Sequence, residues 1–125
     1  VDRVLRNLRR IRVPGGIAHA FNGSRQQADE FIGLGFKLGF GGSLTFRGSR
    51  RIRELAAALP LASIVLETDA PDMPPAWLGG SRNTPAQLSG IARMLAELRG
   101  IDVADLAMAT SVNAGVVLPR LRSLD

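Results

Sequence analysis

Three short apolar segments alternate with stretches of helical periodicity, and this alternation limits the possible folds more than any other feature of the sequence. Apolar runs with strand character cover residues 17–21, 36–41 and 63–67. Each run leads directly into glycine or polar residues. Strands that alternate with helices are typical of a parallel sheet with right-handed crossovers. We therefore predict an α/β protein that contains about three βα units.

Periodicity and end signals predict the helices. Ser24 and Gln27 have the spacing of a capping box, as do Thr84 and Gln87, and Asp102 is a predicted N-cap. Helices are expected over residues 1–11, 24–34, 49–59, 84–98, 103–109 and about 111–118. A loop rich in Pro and Gly, residues 68–83, follows the third strand, and a loop of that length in a compact domain is usually functional.

Composition excludes several classes of protein. Hydrophobic residues make up 46% of the 125 residues, which is enough for a core. The chain has no cysteine, so disulfides and thiolate metal sites are excluded, and a cytoplasmic location is expected. No apolar run approaches the ~20 residues of a membrane span. The net charge is +5, almost all of it from arginine, which suits phosphate contacts but equally fits a solvated basic surface.

Two side chains that can bind metals follow two of the predicted strands. His19, the only histidine, ends the first strand, and Asp69 lies just beyond the third. Because the carboxyl ends of parallel strands meet at one edge of a sheet, both should face the same opening. A histidine on an apolar strand is more often structural, and an aspartate can serve a turn. No helix starts after Asp69, however, so helix capping explains it poorly.

Four further residues are candidates for supporting roles. Glu67 points to the same side of its strand as Asp69, and we expect it to support the site through a buried hydrogen-bond network. Arg82 and Asn83 precede a predicted helix and are candidate substrate-binding residues, with loop stabilisation as the alternative. Trp77 could stack on a base, although a role in pinning the loop is the simpler interpretation.

The sequence resembles the TatD-like metal-dependent deoxyribonucleases. The resemblance rests on the order and spacing of the segments at 16–24, 34–36, 41–46, 66–71, 82–85 and 95–100. It implies a TIM-like (β/α)8 barrel in which His19 and Asp69 bind a divalent ion such as Mg, Mn or Zn, with Asp69 also catalytic. The resemblance also implies hydrolysis of phosphodiester bonds in DNA by a metal-activated water.

The match extends over the C-terminal half of the family pattern only. The family's His-x-His pair, a mid-barrel Glu and a further His have no counterpart in this sequence. Residues 1–125 are therefore expected to form a partial barrel that needs an N-terminal half to complete the site, and to be inactive alone. The alternatives are a non-catalytic half-barrel that acts as an interaction module, an amidohydrolase acting on another bond, and, more weakly, a nucleic-acid-binding module.

Overall fold

A computed structural model describes residues 1–124, and its centre is a three-stranded parallel sheet. The strands are β1 (Gly16–Ala18), β2 (Phe36–Phe40) and β3 (Ile64–Leu66), in the order β1-β2-β3. The helices are α1 (Asp2–Arg10), α2 (Arg25–Gly33), α3 (Arg50–Ala58), α4 (Leu88–Arg99) and α5 (Val103–Val117). Short 3-10 turns cover Gly42–Thr45, Leu61–Ser63, Ala76–Leu78, Pro85–Gln87 and Pro119–Leu124.

The observed order confirms the predicted α/β fold of parallel βα units. Ala18 pairs with Leu38, which pairs in turn with Ile64, so the middle strand is flanked on both sides. Leu38 and Ile64 are fully buried in a core that also contains Phe40 and Leu95. Burying such side chains contributes about 1.5–3 kcal/mol each. The sheet is thereby a firm platform for the loops at its C-terminal edge.

Two local predictions are confirmed at helix N-termini. Ser24 Oγ accepts from Gln27 N at 3.1 Å, while Gln27 Oε1 accepts from Ser24 N at 2.9 Å, which completes the predicted capping box. Asp102 Oδ1 accepts from Ala104 N at 2.8 Å at the start of α5. Both caps satisfy backbone N–H groups that have no partner inside the helix.

Two other predictions are wrong. Thr84 makes no side-chain capping bond, because the Gln87 N–H donates to the Thr84 carbonyl at 3.1 Å. The Gln87 side chain does not cap either, since its Oε1 accepts from Trp77 Nε1 at 2.7 Å. The two helices predicted after residue 102 are one helix, α5. Thr110 Oγ1 donates to Leu106 O at 3.0 Å within that helix, so the polar pair Thr110-Ser111 does not interrupt it.

The C-terminal ends of all three strands meet at one edge of the sheet, because the strands are parallel. Residues 19–24 leave β1 there, residues 41–49 leave β2, and the long loop 67–84 leaves β3. Within residues 1–124, none of the helices has both the length and the apolar character that a bilayer crossing requires. The edge of the sheet from which these three loops leave is the expected position of a functional site.

Candidate metal centre

His19 lies where β1 leaves the sheet, and the backbone there is sharply turned. Ala20 has a φ of 47°, and the chain returns to the sheet at Phe21, whose N–H donates to Gly39 O at 3.0 Å. A positive φ is costly for a residue with a side chain and is found mainly where the surroundings enforce it. Because of this turn, β1 ends at Ala18 and not at residue 21 as predicted. The His19 side chain is 54% exposed at the opening.

Glu67 holds this turn and the His19 ring together. The Nδ1–H of His19 donates to Glu67 Oε2 at 2.7 Å, and Ala20 N donates to Glu67 Oε1. The Glu67 side chain is only 15% exposed. A carboxylate that accepts from Nδ1 fixes the ring orientation and leaves Nε2 as the free nitrogen. This buried hydrogen-bonded position agrees with the supporting role expected for Glu67.

Gly39 is the residue that lets Glu67 reach across the sheet. Gly39 lies on β2, between the strand that carries His19 and the strand that leads to Glu67. A Cβ at Gly39 would lie 2.1 Å from Glu67 Oε2, which is far inside contact distance. The sequence shows two glycines in the predicted strand 36–41. The reason for Gly39, which is the passage of the Glu67 carboxylate over β2, is visible only in the structure.

Replacing Gly39 with alanine should displace the Glu67 carboxylate. We expect Gly39→Ala to lower the free energy of unfolding by about 1–3 kcal/mol through overpacking. It should also lower the pKa of His19 toward its ordinary 6.5, because the hydrogen bond to Glu67 is the first cause of its elevation. Urea unfolding and NMR of His19 measure the two effects.

Gly33→Ala is the matched control, since an added Cβ there meets nothing within 4 Å. Gly33 ends α2, where alanine should be neutral or stabilising by up to about 1 kcal/mol. Equal stability of the two variants would contradict the assignment of Gly39.

Asp69 faces the free nitrogen of His19. Its Oδ1 lies 3.5 Å from His19 Nε2, and its side chain is 44% exposed. Two donors that bind one tetrahedral ion at about 2.0–2.2 Å stand about 3.3–3.6 Å apart. The pair therefore fits two ligands of one divalent metal. Asp69 also has a φ of 52°, a strained backbone that turns its side chain toward His19.

This chain offers only two donors in suitable positions. Among residues 1–124, no group of three or more His, Asp or Glu side chains could together hold a metal ion. Glu67 does not serve as a third, because its oxygens are engaged by His19 and Ala20. Catalytic metal sites generally use three protein ligands. The pair on its own therefore has fewer donors than a catalytic metal site uses.

The His19 imidazole is held by carboxylates on two sides. Its pKa is raised above the ordinary 6.5, first by the hydrogen bond to Glu67 and also by the charges of Glu67 and Asp69, with desolvation opposing. Since a raised folded-state pKa favours the charged form in the folded chain, the associated stability is complete below about pH 6.5. It is lost as the pH rises through the raised pKa.

A proton NMR titration of metal-free protein tests this directly, because His19 is the only histidine. We expect a pKa of His19 above 6.5 in the wild type. The pKa should fall toward 6.5 in Glu67→Gln, because the carboxylate that accepts from His19 loses its charge. Glu54→Gln, an exposed glutamate on α3, is the control and should leave the titration unchanged. An identical curve for Glu67→Gln would contradict the assignment.

Asn83 closes the long loop beneath Asp69. It is 1% exposed, and its Nδ2 donates to Thr68 O at 2.6 Å and to Asp72 O at 2.8 Å. Its backbone N–H donates to Pro71 O at 3.1 Å. These bonds tie the end of the loop to the residues on either side of Asp69. Of the two roles weighed for Asn83, loop stabilisation accounts for these contacts, since both amide protons are already used inside the protein.

Arg82 and Trp77 have different surroundings on this loop. Arg82 is exposed beside Asn83, and it has no hydrogen bond or ion pair with the rest of residues 1–124. Trp77 is 45% exposed, and its ring lies against Gly90 of α4, where a Cβ would come within 2.7 Å. With its bond to Gln87, this packing gives Trp77 the loop-pinning role. Arg82 is thus the free cation nearest to Asp69 in sequence.

A parallel α/β sheet with a His–carboxylate pair at the carboxyl ends of its strands is the arrangement expected of a metal-binding α/β protein. The family model described as TatD related DNase matches residues 1–119. The chain therefore belongs to the TatD-related DNase family, as the sequence resemblance indicated.

Relatives and solved structures agree with this assignment. The chain is 42% identical over 109 residues to the uncharacterized metal-dependent hydrolase YjjV of Escherichia coli K12, covering 86% of this chain and 42% of that protein. It is 36% identical over 108 residues to a protein named 3′-5′ ssDNA/RNA exonuclease TatD of Citrobacter rodentium, covering 82% of this chain and 41% of the relative. The crystal structure of E. coli YjjV superposes with a TM-score of 0.88 at 40% identity, over 93% of this chain and 45% of that one.

A more distant structure shows the same fold. The TatD-family hydrolase of Entamoeba histolytica superposes with a TM-score of 0.70 at 16% identity. The predicted fold class, part of a TIM-like barrel, is thereby confirmed. The chain spans less than half the length of the relatives that it matches. The family and the fold of this chain are thus established, and its longer relatives YjjV and YcfH carry the name metal-dependent hydrolase.

Proposed function

We propose that this chain supplies His19 and Asp69 to the divalent metal site of a nuclease that hydrolyses phosphodiester bonds in DNA. The observation that carries the proposal is the 3.5 Å separation of His19 Nε2 and Asp69 Oδ1, with the other ring nitrogen held by Glu67. The metal, expected to be Mg, Mn or Zn, would act as a Lewis acid that activates water and offsets phosphate charge. The cytoplasmic location stays a prediction.

Each residue of the site has a distinct task in this proposal. Glu67 accepts a hydrogen bond from the Nδ1–H of His19, so that Nε2 of the neutral ring is the nitrogen free to bind a metal. Asp69 presents Oδ1 beside it, and its charge makes the pair selective for cations. A His–carboxylate donor set of this type suits Zn, Mn and Fe more than a soft thiolate-preferring ion. Asn83 keeps Asp69 in place through the loop backbone.

Two observations support a phosphate-bearing substrate: the positive charge of Arg82 and the similarity to a relative that is named an exonuclease. Arg82 is exposed in the same loop as Asp69 and is not neutralised by any carboxylate of residues 1–124. A guanidinium can bind phosphate with two parallel hydrogen bonds. We therefore keep Arg82 as a proposed substrate-binding residue, and assign Asn83 to positioning the loop. The exonuclease name of the Citrobacter relative agrees with a nucleic acid as substrate.

The proposal further holds that an N-terminal half-barrel completes the site. Two donors fall short of the usual three, and both edge strands, β1 and β3, have an unpaired side within residues 1–124. The second candidate is a non-catalytic half-barrel used as an interaction module. It is favoured by the exposed apolar side chains on α5, Met108, Val112 and Val116, which are spaced four residues apart.

The decisive experiment joins this chain to the N-terminal part of E. coli YjjV that precedes the matched region. The chimera is incubated with a fluorescently labelled single-stranded DNA and Mg, Mn or Zn, and the products are separated on a denaturing gel. We expect cleavage that stops with EDTA and resumes with added metal, and none by either half alone. A folded chimera that binds metal but cuts no nucleic acid would sink the nuclease proposal, and cleavage of amides or lactones would favour an amidohydrolase.

A further inference from the structure

An exposed arginine on α3 is attached to the turn that follows His19. Arg51 Nη2 donates to Asn22 Oδ1 at 2.7 Å, and both side chains are exposed. Asn22 is three residues beyond His19, so their α-carbons lie within about 11 Å of each other. Arg51 is in the first turn of α3, which begins at the same edge of the sheet. The guanidinium is thus fixed beside the opening of the proposed metal site.

The contact with Asn22 positions Arg51 without satisfying it. A guanidinium has five N–H donors, and the bond to Asn22 uses one of them. No carboxylate of residues 1–124 forms an ion pair with Arg51. Arg25, in contrast, is neutralised by Asp29 through a 3.0 Å bond one helical turn away on α2. Arg51 therefore keeps both its charge and most of its donors for a ligand.

Arg51 and Arg82 lie on different elements. Arg82 belongs to the loop after β3, whereas Arg51 and Asn22 lie on the β1 and β2 side. A nucleic-acid strand carries one phosphate per nucleotide, and the α-carbon of Asn22 is at most about 11 Å from that of His19. A cation held by Asn22 is therefore close enough to bind a phosphate near the scissile one. Two exposed guanidiniums that no carboxylate of residues 1–124 neutralises match a chain of phosphates better than a single one.

We propose that Arg51, held by Asn22, is a phosphate-binding subsite for a nucleotide next to the one being cleaved. The subsite selects an oligonucleotide strand over a mononucleotide or an uncharged ester. This inference rests on the proposed nuclease function, and it names the form of the substrate: a single strand that extends across the β1–β2 side of the opening.

The test is binding of a fluorescein-labelled single-stranded DNA 12-mer to the 125-residue chain, followed by fluorescence anisotropy in EDTA at several salt concentrations. We expect Arg51→Gln to weaken binding about five- to tenfold at low salt. Losing one phosphate contact should also reduce the slope of log K against log salt by about 0.7. Asn22→Ala keeps the charge but frees the guanidinium, so it should weaken binding two- to fivefold with a nearly unchanged slope.

Arg12→Gln is the matched control, because it removes the same charge at the opposite end of the sheet. Arg12 is exposed and lies near Gly33 and Leu34, at the C-terminal end of α2. Equal losses in Arg51→Gln and Arg12→Gln, or no binding by the wild type, would overturn the inference. Because EDTA prevents metal-dependent cleavage, the outcome is separable from the chimera assay. If the chimera cleaves DNA but Arg51→Gln does not weaken DNA binding, only the subsite is contradicted. If Arg51→Gln weakens binding but the chimera does not cleave, only the nuclease function is contradicted.

Discussion

Asp69→Asn is expected to lower DNA cleavage by the YjjV chimera about 10³-fold or more. The substitution keeps the size of the side chain but removes the charge that stands 3.5 Å from His19 Nε2. A loss of about 4 kcal/mol of transition-state stabilisation corresponds to that factor, and a metal ligand is worth several kcal/mol. Asparagine also tolerates the positive φ of 52° at this position, so the backbone should keep its course.

Initial rates at saturating metal, together with calorimetric titration of Mn or Zn, measure the effect. Asp72→Asn is the matched control, because Asp72 is an exposed carboxylate in the same loop. Its contacts with Asp69 and Asn83 use backbone atoms only, and these survive the change. Retained cleavage and metal affinity in Asp69→Asn, or an equal loss in Asp72→Asn, would show that Asp69 is not a ligand.

Asn83→Ala is expected to lower the free energy of unfolding by about 2–4 kcal/mol. Truncation removes the donors to Thr68 O and Asp72 O and leaves both carbonyls without that partner, at about 1–3 kcal/mol each. Asn83→Asp should be at least as damaging, since a carboxylate cannot donate to these oxygens. Metal affinity of the chimera should fall as well, because the loop that holds Asp69 loses its tie.

Urea unfolding of the chain compares these variants with Thr84→Ala. Thr84 is exposed and makes no side-chain capping bond, so its truncation should change stability by less than about 0.5 kcal/mol. The comparison separates the two roles that the sequence left open for Asn83. Unchanged stability with a raised KM for DNA would support direct substrate binding, and the predicted loss of stability supports loop closure.

The secondary-structure elements, and the sheet edge that carries His19 and Asp69, could be predicted from the sequence alone. Apolar runs and helical periodicity located all three strands and the helices, because the patterns of burial repeat with periods of two and 3.6 residues. The parallel order then placed His19 and Asp69 at the same edge, since the carboxyl ends of parallel strands coincide. Caps at Ser24 and Asp102 were also readable, because they depend on residues only two or three positions apart.

Which side chains meet across that edge depends on the folded chain and could not be predicted. Glu67 reaches His19 over 48 residues of sequence, and Gly39 makes room for it from a third element. No local pattern encodes such a contact, which depends on the register and spacing of neighbouring strands. The same reason explains the failed cap at Thr84, where Trp77 takes the Gln87 oxygen from ten residues away. The bond from Arg51 to Asn22 likewise joins α3 to the turn after β1, which only the parallel sheet brings together.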